Sequence, residues 1–350
     1  MYSFLANIES EKNFEEMIEL MKAHKCVAFI GAGLSVGAGY RSWERGIFDE
    51  SSLGYKSGVP GLLKLSALSE DDIKDCIGDL SEIAFRCKKA FTAEDDYLEF
   101  LRKEFGPEYH EPYLLEHSII WKSNFRHVLT TNFDKCLHNA TSDPECKDVI
   151  TYPEIMLKGD RTLCHIHGRA FLLDGEDPIV EKYHLRNLVY TKDGYKAAYE
   201  DEKEIETFLY EITRKHSLVF LGFSMNDENF RRTFNAIIGA RTRKNKRKAG
   251  IMGVAPSELP NFVFLDVPEK APHQSDPDFM LVMVDYNKKV SDLQGEGFRV
   301  VSFKRLDTSF LGLKRALQQI EQKIRYAALP KQKEPTFEVT DSSTASVSDS

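Results

Sequence analysis

The chain has 350 residues, 42% of them hydrophobic and 29% charged, which excludes a peptide, a disulfide mini-protein or a wholly disordered chain. Its 47 basic and 55 acidic residues leave a formal charge of −8, so whole-surface attraction to nucleic acid or anionic lipid is excluded and only a local basic patch could serve either. The six cysteines, Cys26, Cys76, Cys87, Cys136, Cys146 and Cys164, include no Cys-x-x-Cys pair. They read as reduced thiols of a cytoplasmic protein, since the N-terminus lacks the basic and apolar regions of a signal peptide. No apolar run approaches the roughly 20 residues that cross a bilayer, so no membrane contact is expected.

In chain order, Phe14 to His24 has the apolar spacing of an amphipathic helix. Cys26 to Ile30 follows as a short apolar run that stops at a glycine cluster, the pattern of a buried parallel strand. From about residue 46 to 115 only helical spacing recurs, punctuated by Pro60, Pro107 and Pro112, which predicts a helical insertion between the first two strands. Further strands are predicted at His127 to Thr131, Thr162 to Ile166, Ser217 to Phe223, Asn261 to Val267, Phe279 to Tyr286 and Phe298 to Phe303. Helices are predicted at Tyr195 to Lys215, Glu228 to Ala240 and Phe310 to Ala327. This alternation predicts an α/β, Rossmann-like, doubly wound and mostly parallel sheet filling residues 1–328. The run Arg241 to Lys248, with six basic side chains in eight positions, reads as a solvated loop outside the core. Residues 329–350 read as a disordered polar tail.

In a doubly wound sheet, chemistry is sought in the loops after the strands. Gly31-Ala32-Gly33-Leu34-Ser35-Val36-Gly37-Ala38-Gly39 suits either close approach to a pyrophosphate or plain packing of a tight turn, and its spacing is not the dinucleotide fingerprint. Thr131-Asn132-Phe133-Asp134 can orient a water and bind an amide, or can merely cap the next helix. In Cys164-His165-Ile166-His167-Gly168, alternation puts both histidines on one face, for a metal or for a single catalytic imidazole. Gly222-Phe223-Ser224-Met225-Asn226-Asp227 suits contact with a ribose, and equally a capping box from Ser224 to Asp227.

Taken in order, GAGLS, TTNFD, HIHG and GFSMND resemble the sirtuin superfamily over roughly Cys26 to Asp227. The similarity is closest to its bacterial zinc-ribbon-less branch, associated with NAD hydrolysis in anti-phage defence. The late strand in EGFRVVSF is a weaker echo. The resemblance implies that Gly31, Ala32, Gly33 and Ser35 cradle the NAD pyrophosphate, and that Thr131, Asn132 and Asp134 stand at the family's Gln-Asn-x-Asp. It gives Asn132 the reacting ribose and its water, Asp134 the nicotinamide end, His167 the ribose hydroxyls, and Gly222 and Ser224 the adenosine side. Trp43 stands where defence-type members often carry tryptophan.

Two departures bear on the activity. The paired Cys-x-x-Cys zinc ribbon of the family's deacylases is missing, since no cysteine follows Cys164, and no zinc or other metal is expected. The family's Gly-Ile-Pro-Asp-Phe-Arg stretch is replaced by Gly39-Tyr40-Arg41-Ser42-Trp43. The resemblance therefore implies an NAD glycohydrolase with Asn132 and His167 as its catalytic residues, releasing nicotinamide and ADP-ribose and gated to deplete NAD during defence. The alternatives are an NAD-dependent deacylase or ADP-ribosyltransferase, or a non-catalytic nucleotide-binding scaffold whose residues 241–248 engage nucleic acid. The expected partners are NAD, further copies of the chain in a homo-oligomer, and a separate sensor or HerA-type ATPase.

Overall fold

The computed structural model describes residues 2–48, 60–141, 148–157, 159, 161–252, 258–271, 274–305 and 311–328. Helix α1 (Ile8–Lys22) leads into β1 (Cys26–Ile30). Then come α2 (Trp43–Phe48), α3 (Leu62–Leu65), α4 (Glu70–Ile73), α5 (Leu80–Ala90), α6 (Glu94–Phe105) and α7 (Leu115–Lys122) before β2 (Val128–Thr130). The predicted insertion between the first two strands is thus present. The chain continues through α8 (Cys136–Ala140), β3 (Asp148–Thr151), β4 (Thr162–His165), α9 (Ile179–Arg186), α10 (Lys192–Lys196), a π-helical turn (Ala197–Asp201) and α11 (Glu204–Thr213). It closes with β5 (Ser217–Leu221), α12 (Glu228–Met252), β6 (Asn261–Val267), α13 (Asp276–Gly295), β7 (Phe298–Lys304) and α14 (Leu311–Ala328).

The seven strands form one sheet in the order β3-β4-β2-β1-β5-β6-β7, every pair parallel. This is the Rossmann-like α/β architecture. Both faces are covered, and alternation sorts the strand residues between them. Cys26, Ala28 and Ile30 pack with Met17, Ile18, Ile120 and Leu317 on one face. Val27 and Phe29 pack with Leu209, Phe230 and Phe234 on the other. The insertion has its own core, including Leu62, Ile83, Leu98 and Leu101, which is completed by Leu185, Leu188 and Tyr190 from the segment after β4.

Three expectations are corrected. Phe279 to Tyr286 is part of α13, not a strand. Its apolar run mimics a buried strand, yet Ser275 caps the helix by accepting the Asp278 N–H (3.3 Å), with Pro277 in the first turn. Parallel β6 and β7 also require a crossover, which α13 supplies, leaving Met280, Leu281 and Val284 exposed. The basic run is no loop: α12 continues through it to Met252. Lysine and arginine are good helix formers, and Arg241 is buried. The single helix expected over Tyr195 to Lys215 is broken at Lys203, whose φ is +53°. Strand β3, short and half-exposed at the sheet edge, escaped the sequence reading. The predicted tail, 329–350, lies outside the described residues, as does Cys146; the other five cysteines are free. Among the described residues no helix is long and apolar enough to cross a membrane.

Candidate functional site

Register puts four strand ends in a row. Thr130 pairs with His165 on one side and Ile30 on the other, and Ile30 pairs with Leu221. The four loops singled out by sequence therefore leave neighbouring strands β4, β2, β1 and β5 at their carboxyl ends. The side on which successive strands are added reverses between β1 and β5, the switch point at which open α/β sheets bind ligands.

At that point the loops after β1 and β5 touch. The N–H groups of Gly31 and Gly33 donate to the carbonyls of Leu221 (3.0 Å) and Gly222 (2.8 Å). A methyl group on Gly31 would stand 2.6 Å from Gly222 O, and one on Gly222, whose φ is +64°, would stand 2.6 Å from Leu34 N. These glycines serve loop-to-loop contact, and their two amides are already engaged. Ala32 and Gly33 remain half-buried at the surface of the turn.

Asn132 joins three loops and is only 7% exposed. Its Nδ2 donates to Gly31 O and to Ser35 Oγ, both at 3.1 Å. Its own N–H donates to Thr130 Oγ1 (3.0 Å), and its carbonyl accepts from His165 Nδ1 (2.9 Å). Because Gly31 O can only accept, the amide's orientation is settled: nitrogen inward, leaving Oδ1 buried without a partner. Thr131 directs its N–H to Ile30 O (3.2 Å).

Asp134 stands one residue before the N-cap, Lys135, and makes an Asx turn into α8, its Oδ1 accepting the Cys136 N–H at 2.9 Å. It sits in a buried polar cluster with Ser35, Tyr40, His117 and Cys136. Burial first, then the Asp134 charge, pushes the Tyr40 phenol and the Cys136 thiol up. Burial holds His117 below the ordinary histidine range, against the opposing charges of Asp134 and Glu116.

The two histidines do not share a face. Strand β4 ends at His165, so alternation does not carry to His167. His165 packs edge-on to Phe171, and burial lowers it to about 4. With Nδ1–H given to Asn132 O, its Nε2 is buried and unpartnered. His167, 3% exposed, lies in the following turn among aromatic rings. Its Nε2 meets Tyr199 Oη at 2.7 Å, while Tyr195 and Tyr199 stand edge-on at 5.4 and 5.8 Å between ring centres. Burial pushes His167 down to about 3, so the ring is neutral at neutral pH.

The tyrosines also reach the loop after β5. Tyr195 donates to Asp227 Oδ2 (2.8 Å) and stacks on Trp43 (5.5 Å, 14°). Asp227, not Ser224, caps α12: its Oδ1 accepts the Phe230 N–H at 2.9 Å, whereas Ser224 Oγ accepts from Asn226 N–H at 3.3 Å. The box expected from Ser224 therefore shifts to the residue with the better reach. Ser224 is exposed. One further link was not anticipated: Arg41 Nε donates to both carboxylate oxygens of Glu104, at 2.9 and 3.1 Å, in a fully buried pair tying the glycine loop's exit to α6. The structure thus brings Gly31, Gly33, Ser35, Asn132 and Gly222 into direct contact. Asp134 lies just behind them, and His167 is on the neighbouring loop with different partners. Among the described residues, no group of three His, Cys, Asp or Glu side chains could hold a metal ion.

Sheet order and converging loops define a parallel α/β protein with its candidate site at the switch point. Residues 126–287 match the family model described as SIR2-like domain. That span begins just before β2 and includes the loops of Asn132, His167 and Gly222, whereas the glycine loop after β1 lies outside it. Among solved structures, the chain is similar to one titled as a Sir2 homolog–NAD complex, at 11% identity and a TM-score of 0.37, covering 89% of this chain and 94% of that one. A search of curated proteins finds no sequence match.

Proposed function

We propose that the protein is an NAD glycohydrolase that cleaves the bond between nicotinamide and ribose. The observation that carries this reading is the held amide of Asn132, whose one free atom is a buried acceptor, Oδ1. Such an atom suits the O–H of a ribose or of an attacking water. The SIR2-like match over residues 126–287 and the motif order support NAD as the substrate. In this reading Gly33, Ala32 and Ser35 approach the pyrophosphate, Thr131 and Asp134 border the nicotinamide end, and Gly222 and Ser224 border the adenosine side.

The electron pair of the breaking C–N bond returns to the nicotinamide ring nitrogen, neutralising its positive charge, so no acid is required. Water oxygen bonds to the ribose carbon and loses a proton. His167 is neutral, and in the tautomer whose Nε2–H donates to Tyr199 Oη its Nδ1 receives that proton or a ribose hydroxyl. Asn132, His165 and His167 are all buried, so NAD reaches them only when the loops part. That closure suits an enzyme whose unrestrained activity would poison its own cell. We place it in anti-phage defence, cytoplasmic and gated by self-assembly or by a separate sensor or ATPase partner.

The test is mass analysis of products after mixing protein and NAD, alone and with candidate partners. Free nicotinamide and ADP-ribose in equal amounts are expected. ADP-ribose attached to protein, or an acyl group removed from lysine, would replace this reading with a transferase or deacylase. Unchanged NAD under all conditions would remove it.

A further inference from the structure

We propose that His117, supplied by α7 just before β2, is a positioning residue that helps fix the Asn132 amide through Ser35. The direction of each hydrogen bond follows from one backbone donor. The Leu114 N–H donates to His117 Nδ1 (3.0 Å), so the neutral ring carries its proton on Nε2. Nε2 faces Ser35 Oγ at 3.5 Å, a long contact in which only the imidazole can donate. Ser35 Oγ also receives Asn132 Nδ2–H at 3.1 Å. With both lone pairs occupied, the hydroxyl acts toward Asn132 as an acceptor, a second one beside Gly31 O, which together hold the amide nitrogen inward and leave Oδ1 free.

The elements are packed to hold this order. His117 and Ser35 are buried, and a methyl group on Gly37 would come within 2.9 Å of the Leu114 side chain, so the start of α7 rests on the glycine loop. The link therefore connects α7, which lies against the glycine loop but belongs to none of the four motifs, to the residue proposed to meet the substrate. It rests on the glycohydrolase reading for its effect on rate, and on geometry alone for its effect on the amide.

His117→Leu removes the donor, whereas His117→Gln keeps one, because the glutamine amide nitrogen stands about where Nε2 does. Two readouts are compared with wild type: kcat and KM for nicotinamide release, and the side-chain amide resonances of Asn132 in protein carrying isotope-labelled asparagine. His117→Leu is expected to lower kcat about tenfold with KM little changed, the scale of one lost hydrogen bond at the reacting atoms, and to shift the Asn132 resonances. His117→Gln is expected to restore both. Ser35→Ala removes the same link with less disturbance and should shift the same resonances, and adding His117→Leu to it should cost nothing further. Unmoved resonances with wild-type kcat in His117→Leu would overturn the proposal, as would equal losses in the Leu and Gln variants. If wild type releases no nicotinamide while Leu shifts the resonances and Gln does not, the positioning stands and the glycohydrolase reading falls.

Discussion

Asn132 and His167 each stand two residues past the end of neighbouring strands and are held by opposite means. Asn132 is fixed by directional bonds to Gly31 O, Ser35 Oγ, Thr130 Oγ1 and His165, which leave one atom over. The His167 backbone carbonyl accepts the Val189 N–H (2.8 Å), but its imidazole meets one hydrogen-bond partner, Tyr199, and is otherwise walled by rings. The first arrangement selects which end of an amide faces the site. The second keeps an imidazole neutral by excluding water. In the proposed reaction an acceptor must be oriented and a base must be uncharged, and each surrounding would supply the property its side chain lacks by itself.

The largest expected effects break either member. Asn132→Ala and His167→Ala should each reduce nicotinamide release by about 10²–10⁴-fold, with far-ultraviolet dichroism unchanged. Asn132→Asp sharpens the comparison, because a carboxylate cannot donate to Gly31 O; its rate should match that of the alanine variant, not wild type.

Acid should act on the ringed side and on His165 through stability. Both folded pKa values, about 3 for His167 and about 4 for His165, lie below the ordinary histidine value, so the unfolded chain binds more protons between them. Stability is fully present above about pH 6.5 and is lost as pH falls toward 4, by about 1 kcal/mol per pH unit for each group. Urea midpoints measured from pH 7 to 4.5 check this. His167→Phe should flatten the slope by one proton's worth.

Smaller effects follow at the supports. Gly222→Ala forces a methyl group into a left-handed backbone 2.6 Å from Leu34 N, and should cost about 1–3 kcal/mol in chemical denaturation. Tyr199→Phe keeps the ring and leaves a buried imidazole nitrogen unpaired, costing about 1–2 kcal/mol while reducing turnover less than His167→Ala does.

What sequence could reveal divides along the same line. The glycine loop, Asn132 and His167 were legible because each directly follows a short apolar strand, and strand ends in a parallel sheet lie together. The helical insertion was legible from its spacing. Partners brought by distant segments were not: Tyr199 arrives on a π-helical turn, His117 on α7, and Glu104 reaches Arg41 across 63 residues. Such pairs leave no local pattern. The misread strand at Phe279–Tyr286 has the same root, since six consecutive apolar residues carry no period and only the Ser275 cap and the parallel neighbours decide for a helix.

The most direct measurement follows the oxygen that ends on the ribose carbon. Reaction with NAD in heavy-oxygen water, read early and against ADP-ribose incubated alone, should give ADP-ribose carrying one heavy oxygen, formed by wild type and about 10²–10⁴-fold more slowly by Asn132→Ala and His167→Ala. Product lacking the heavy oxygen, or labelled product at full rate from both variants, would contradict the account.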